Sequence, residues 1–144
     1  MDFKDCINFA NKVKDCSVAT VEGDQPRVRM LGLWFANEEG FYFQIWTFKE
    51  IYKQLKANPK IEICFYSEQK DIPYRMMRVS GEIEFIDDIA LKGKVLEDRP
   101  FLKELGAEGP DDPKLVIFRI AHGEAFLWPV KKKGEYPGAE KVVF

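Results

Sequence analysis

Arg27 and Arg29 stand two residues apart in the run Pro26-Arg27-Val28-Arg29-Met30. This run reads as a strand, and side chains two apart in a strand leave the same face, roughly 6–7 Å from each other. A second stretch, Trp46-Thr47-Phe48-Lys49, sits where a strand gives way to a helix. Thr47 and Glu50 have the spacing of a capping box, and Lys49, Lys53 and Lys56 follow a helical stripe. A helix N-terminus carries unpaired N–H groups and a partial positive charge. Two strand arginines and a lysine beside such a terminus would seat a phosphate, which points to a phosphorylated cofactor or ligand. The same residues also fit a plainer arrangement: a solvated edge strand, a simple N-cap and a soluble helix face. The order of the pieces along the chain bears on the choice.

Those pieces follow from hydrophobic periodicity and turn signals. The spacing of Phe3, Cys6, Ile7, Ala10 and Val13 predicts an amphipathic helix over 2–15. Strands are expected over 17–22, 27–36 and 41–46, then a helix over 48–57 that Asn58-Pro59 stops. Further strands are expected over 60–67 and 74–86, the latter interrupted at Gly81 by a bulge or bend. Asp87 or Asp88 should cap a helix reaching residue 97, with a short helical piece over 100–105. Strands over 115–120 and 124–130 complete the set, and the remainder reads as an irregular tail. Six or seven strands with hairpin connections and a few helices predict a mainly β, α+β fold. The architecture expected is a small antiparallel barrel with peripheral helices.

Composition narrows the function. The 144 residues, 46% hydrophobic and 14% aromatic, suit one domain over 1–144 with a substantial core. The aromatic supply suits sheet packing and also a flat ring ligand. A net charge of −2 gives no reason to expect a nucleic-acid or membrane partner. No apolar segment is long enough to span a bilayer, and the N-terminus lacks the order of a signal peptide. Cys6, Cys16 and Cys64 are odd in number and without C-x-x-C spacing, which fits a reducing cytoplasm and gives no metal site. The single histidine, His122, has no second histidine to share a metal with. There is no glycine-rich dinucleotide fingerprint, Walker loop, nucleophile elbow or zinc-protease helix. Glu82 and Glu84 read as solvent-facing, and no residue stands out as a catalytic acid or base.

The order A-T-V-x-G-D-Q-P-R-V-R over 19–29, Y-K-Q-L-K-A-N-P over 52–59 and R-V-S-G over 78–81 resembles a known family. It is similar to the pyridoxamine-phosphate-oxidase-like, FMN-binding split β-barrel proteins. Within them it looks closest to short bacterial members, including the Nim-type nitroimidazole-resistance proteins and nitroreductase-like relatives. The resemblance spans about residues 5–128. It implies a homodimer with two FMN molecules in clefts at the subunit interface. Arg27 and Arg29 match a family strand whose arginines reach the FMN phosphate or the polar edge of the ring. Lys49 matches the phosphate-binding lysine near the helix start. Ile45 falls where many members have Thr or Ser, which removes a hydroxyl, while Trp46 and Thr47 border that position and could flank the ring. Gln54 also matches and reads as helix packing, and Trp128 lies in a segment that can approach the partner's flavin. The chain lacks the C-terminal Arg-x-His segment of full pyridoxamine-phosphate oxidases. His122 comes later than the histidine of Nim proteins.

The function so implied is an FMN-dependent oxidoreductase. It would pass electrons from a reduced donor, a nicotinamide or deazaflavin, to a small acceptor such as a nitroaromatic or quinone. The alternative is a non-catalytic flavin- or haem-binding protein of the same fold, with His122 the candidate haem ligand besides the cysteines. A third is a stress-linked or structural dimer with an empty cleft.

Overall fold

The computed structural model describes residues 1–144. Helix α1, Phe3–Val13, starts from a reciprocal capping box between Asp2 and Asp5, each side chain accepting the other's backbone N–H. Eight strands follow: β1 Asp15–Glu22, β2 Gln25–Gly32, β3 Phe35–Asn37, β4 Gly40–Trp46, β5 Lys60–Tyr66, β6 Tyr74–Ile86, β7 Leu115–Pro129 and β8 Glu140–Val143. Helix α2, Glu50–Ala57, separates β4 from β5; α3, Ile89–Asp98, and the short α4, Phe101–Glu104, separate β6 from β7. Every pairing is antiparallel, in the order β2-β1-β5-β6-β7-β4-β3, with β8 added on β7. This is the expected split barrel with peripheral helices, and it has eight strands in place of six or seven.

Alternation along the strands fills the interior. Val18, Phe43, Phe65, Met77, Val79, Phe118 and Ile120 are all inaccessible and belong to one core with the inner side of α1. A smaller cluster forms on the outer face of β4 and β7, where Tyr42, Leu115 and Ile117 meet Val95, Leu96 and Leu102 of α3 and α4. Asp88 caps α3 by accepting from the Leu91 N–H.

The long strands β6 and β7 cross from one half of the barrel to the other. They are pinched at Gly81 opposite Gly123, where the register shifts. A Cβ on Gly123 would lie 2.0 Å from the Ser80 carbonyl oxygen, and one on Gly81 would lie 2.6 Å from that of His122. Only glycine admits this approach, so the bend read at Gly81 has its physical cause in two facing glycines.

Four expectations need correction. The strand over 27–36 breaks after Gly32, because the Leu33 N–H turns to the Lys14 carbonyl and Trp34 starts bonding to Tyr42. The strands over 115–120 and 124–130 are one bent strand, since Gly123 absorbs the kink without ending the ladder. The tail contains β8, which pairs with Glu124–Leu127, and Phe144 stacks on Phe3 of α1 at 4.5 Å. Helix α2 starts at Glu50 with Lys49 at its N-cap and no side-chain cap, so the Thr47–Glu50 capping box does not form. The Thr47 backbone is drawn instead to the end of the neighbouring loop, its N–H donating to the Lys114 carbonyl, and the Glu50 carboxylate turns to Lys53.

Candidate functional site

Because β2 pairs only with β1 while β4 lies at the far side of the sheet, the barrel stays open between them. A cleft of about 750 Å³ occupies the opening. One wall is Arg29–Gly32 of β2; the other is Gln44, Ile45 and Trp46 of β4. The start of α2 contributes Lys49, Glu50 and Ile51, and the α3–α4 segment contributes Arg99, Phe101, Leu102 and Leu105. That volume lies within the range of small-molecule and cofactor sites.

Strand alternation turns Arg27, Arg29 and Leu31 to one side and leaves Val28 and Met30 on the outer face, 71% and 63% exposed. Arg29 is half-buried and firmly held. Its guanidinium donates to the Val18 carbonyl at 3.3 Å, to Thr20 Oγ1 at 2.7 Å and to Gln54 Oε1. Burial pushes its pKa down, so the charge is maintained against partial desolvation. Thr20 and Gln54, both buried, bond to each other at 2.6 Å. Gln54 Nε2 also donates to Glu22, whose other oxygen accepts from Arg27. These two hydrogen bonds and the nearby guanidinium hold the Glu22 carboxyl below its ordinary value.

The residues singled out in the sequence therefore divide. Arg29, Ile45, Trp46 and Lys49 line the cleft together. Arg27 does not: it is exposed and paired with Glu22 at 3.0 Å, because β2 carries it past the end of the opening. Thr47 does not line the cleft either. Ile45 is 4% exposed and packs into the core, offering the cleft an apolar surface without a hydroxyl. Trp46 stacks on Phe48 at 5.6 Å, with Lys49 Nζ over the same Phe48 ring. His122 is exposed at the β7 pinch, and Trp128 lies under the Arg78 guanidinium on the outer face.

Sequence reasoning missed Gln44, Gln54's role and Arg99. Gln44 lines the cleft, and its buried amide nitrogen is the one buried side-chain polar atom with no hydrogen-bond partner. Its place two residues before Trp46, on the same face of β4, was the available signal. Arg99 is brought in by α3 and had no local signal.

A family profile for pyridoxamine 5'-phosphate oxidase matches residues 4–129. The chain belongs to this family. Among solved structures, a NimC/NimA family protein from Clostridium acetobutylicum is 28% identical, aligned over 98% of this chain and 92% of its own, with a TM-score of 0.80. The haem storage protein HutZ from Vibrio cholerae is 17% identical over 92% of this chain and 93% of its own, with a TM-score of 0.60. An F420 reductase is 23% identical over 86% and 92%, with a TM-score of 0.57. The last two likenesses show the fold alone. No curated protein matches the chain. The cleft suits a flat ring ligand that carries an acidic group. It combines apolar walls for a ring, fixed cations for an acidic group and an unpaired amide donor.

Proposed function

We propose that the protein is an FMN-dependent oxidoreductase and that the cleft between β2 and β4 is its flavin site. The observation that carries this reading is the convergence of Arg29, Lys49 and the uncapped start of α2 on one end of an apolar cleft. With no side-chain acceptor at the N-cap, the Glu50 and Ile51 N–H groups of α2 are available to a phosphate, the Tyr52 N–H being held by the Lys49 carbonyl at 3.1 Å, and Lys49 adds a mobile charge beside them. The missing capping box thus supports the phosphate seat.

When bound, FMN supplies the redox chemistry, taking a hydride from a reduced nicotinamide or deazaflavin and passing electrons to a small acceptor such as a nitroaromatic or quinone. The chain's part is to bind, orient and shield. Arg29 holds a positive charge in a fixed place, since Val18, Thr20 and Gln54 leave its guanidinium little freedom. That placement favours any negative charge that grows nearby during reduction. Gln44 offers its unpaired N–H to an acceptor atom. Ile45 and Trp46 supply apolar surface that displaces water from a flat ring.

The proposed working unit is a homodimer. The outer face of β2, β1, β5 and β6 exposes Val28, Met30 and Tyr66, with Met76 and Trp128 half-covered beside them. A second copy on this face would cover it, protect the β2 edge and close the open side of the cleft. No helix is long and apolar enough to cross a membrane. All three cysteines are free, which supports a cytoplasmic location.

The decisive experiment is spectral. Protein saturated with FMN should quench flavin fluorescence and show the two visible flavin bands. Riboflavin, lacking the phosphate, should bind much more weakly. Photoreduced protein should then return to the oxidised spectrum on mixing with a nitroaromatic or quinone under anaerobic conditions. Equal affinity for FMN and riboflavin removes the phosphate seat. A Soret band in the purified protein favours the haem-binding alternative. Failure to reoxidise with any acceptor leaves a binding protein in place of a reductase.

A further inference from the structure

The cleft has a second cationic pole that the phosphate seat does not use. Arg29 is anchored toward α2, whereas Arg99 lies against Gly32, three residues along β2 and so about 10 Å away along the strand. Arg99 is the C-cap residue of α3. Its Nη2 donates to the carbonyls of Gly32 at 3.3 Å and Leu33 at 2.6 Å, while Nε and Nη1 donate to nothing. The six ion pairs in the structure do not include it.

Arg99 and Gly32 also line an adjoining, more polar groove of about 680 Å³. Arg99 therefore stands at the doorway between the two spaces. Lys14 and Lys94 line the groove behind it. Lys14 carries the only positive φ of any non-glycine residue, 66°, and its amine is tied to the Trp34 carbonyl at 2.7 Å. A strained backbone held in this way marks a residue whose position its surroundings enforce. Burial, and then the neighbouring Arg99 charge, push the Lys14 amine below its ordinary pKa, with Asp98 acting in the opposite direction. Two carboxylates share the groove, Asp15 and Asp98, and Asp98 accepts from the Trp34 indole at 2.9 Å. Three cations against two carboxylates leave one positive charge. On the cleft side of the doorway, Phe101 and Leu105 are 48% and 65% exposed, with nothing from this chain covering them.

We propose that this doorway is the recognition site for a small aromatic carboxylate. Its ring lies against Phe101 and Leu105, and its carboxylate is held by the free N–H groups of Arg99 with Lys14 and Lys94 behind. The inference rests on the flavin reading of the cleft and names the class of molecule that meets the flavin. A monoanion matches the single excess charge, whereas a dianionic phosphate exceeds it. Arg99 is thereby a specificity-determining residue, separate from the Arg29–Lys49 seat.

Calorimetric titration with benzoate, benzamide and phenyl phosphate tests this, on protein both saturated with FMN and free of it. Benzoate should bind at least about tenfold more tightly than its neutral isostere benzamide, and phenyl phosphate no more tightly than benzoate. Arg99→Gln should weaken benzoate about tenfold and Arg99→Lys much less. Because Arg99 also braces two carbonyls, Lys94→Glu serves as the second variant. Lys94 is exposed, and the charge reversal should weaken benzoate severalfold while the protein stays folded. FMN affinity should shift less than about threefold in Lys94→Glu. Equal binding of benzoate and benzamide, a preference for phenyl phosphate, or indifference to both Arg99→Gln and Lys94→Glu overturns the proposal. So does a loss of FMN affinity in Arg99→Gln as large as the loss of benzoate affinity, which assigns Arg99 to the flavin. If the protein takes up no FMN but discriminates the three probes as stated, the flavin reading fails and the carboxylate site stands.

Discussion

At the scale of the residue, the two arginines that look equivalent in the sequence are not equivalent in the molecule. Arg29 is half-buried in the cleft wall, and Arg27 is an exposed partner of Glu22. A charge-assisted hydrogen bond to a phosphate or ring oxygen contributes roughly 1.5–3 kcal/mol. Arg29→Ala and Lys49→Ala should therefore weaken FMN by about 10- to 100-fold, and Arg27→Ala by less than about threefold, in a fluorescence-quenching titration. An Arg27→Ala loss as large as that of Arg29→Ala would mean that Arg27 swings into the cleft. Glu22 gives a second prediction. Its folded-state pKa is depressed by Arg27 and Gln54, so its contribution to stability is present above the ordinary carboxylate pKa of 4.5 and is lost as pH falls through the lower folded value. Glu22→Gln should flatten the acid side of the stability profile below pH 4.5 relative to the native protein, as followed by urea unfolding. Unchanged curvature would show that Glu22 is not held.

At the scale of the element, the difference between what was legible and what was not has a local explanation. The 3.6-residue period of α1 and the alternation in β5 and β6 are properties of neighbouring residues, and these elements lie where the sequence places them. The break after Gly32, the continuity of β7 through Gly123 and the existence of β8 depend on partners far along the chain. The same contrast holds in the site. Arg29 and Lys49 announce themselves by charge and spacing, whereas Arg99 enters only because α3 folds back over Gly32. Thr47 misled because capping chemistry competes with a loop carbonyl that is invisible in sequence, that of Lys114. The glycine pinch supports the clearest prediction at this scale. Gly123→Ala puts a methyl group 2.0 Å from the Ser80 carbonyl oxygen, where backbone must move. It should cost about 3 kcal/mol or more, lowering Tm by about ten degrees or more, or abolishing folding. Gly138→Ala, in open space, is the control and should be neutral. A Gly123→Ala protein with native Tm would rule out the pinch as a constraint.

For the whole molecule, a sheet left open between β2 and β4 is half of a binding site and asks for a cover. The exposed Val28 and Met30 lie on the outer face of the same strand that presents Arg29 to the cleft. Dimerisation and flavin binding should therefore be coupled. The native protein should sediment as a dimer at micromolar concentration. Val28→Lys combined with Tyr66→Lys, neither of which lines the cleft, should shift it toward monomer and weaken FMN together, with the fold retained by circular dichroism. A monomeric double variant that binds FMN with native affinity would separate the two.

The pairing of β4 with β7 sets a timetable for the chain as it is made. Phe43 and Phe118 stack at 5.1 Å across two strands that lie far apart in sequence. Until β7 has left the ribosome, β4 has no neighbour except the three-residue β3, and its apolar inner face stays uncovered. Local hairpins such as β1–β2 can close early, but the barrel cannot. Such long-range closure is slow, and the waiting intermediate offers an apolar strand edge to other chains. The arrangement that positions Trp46 and Ile45 across from Arg29 makes synthesis through residue 129 the point after which this protein can escape aggregation.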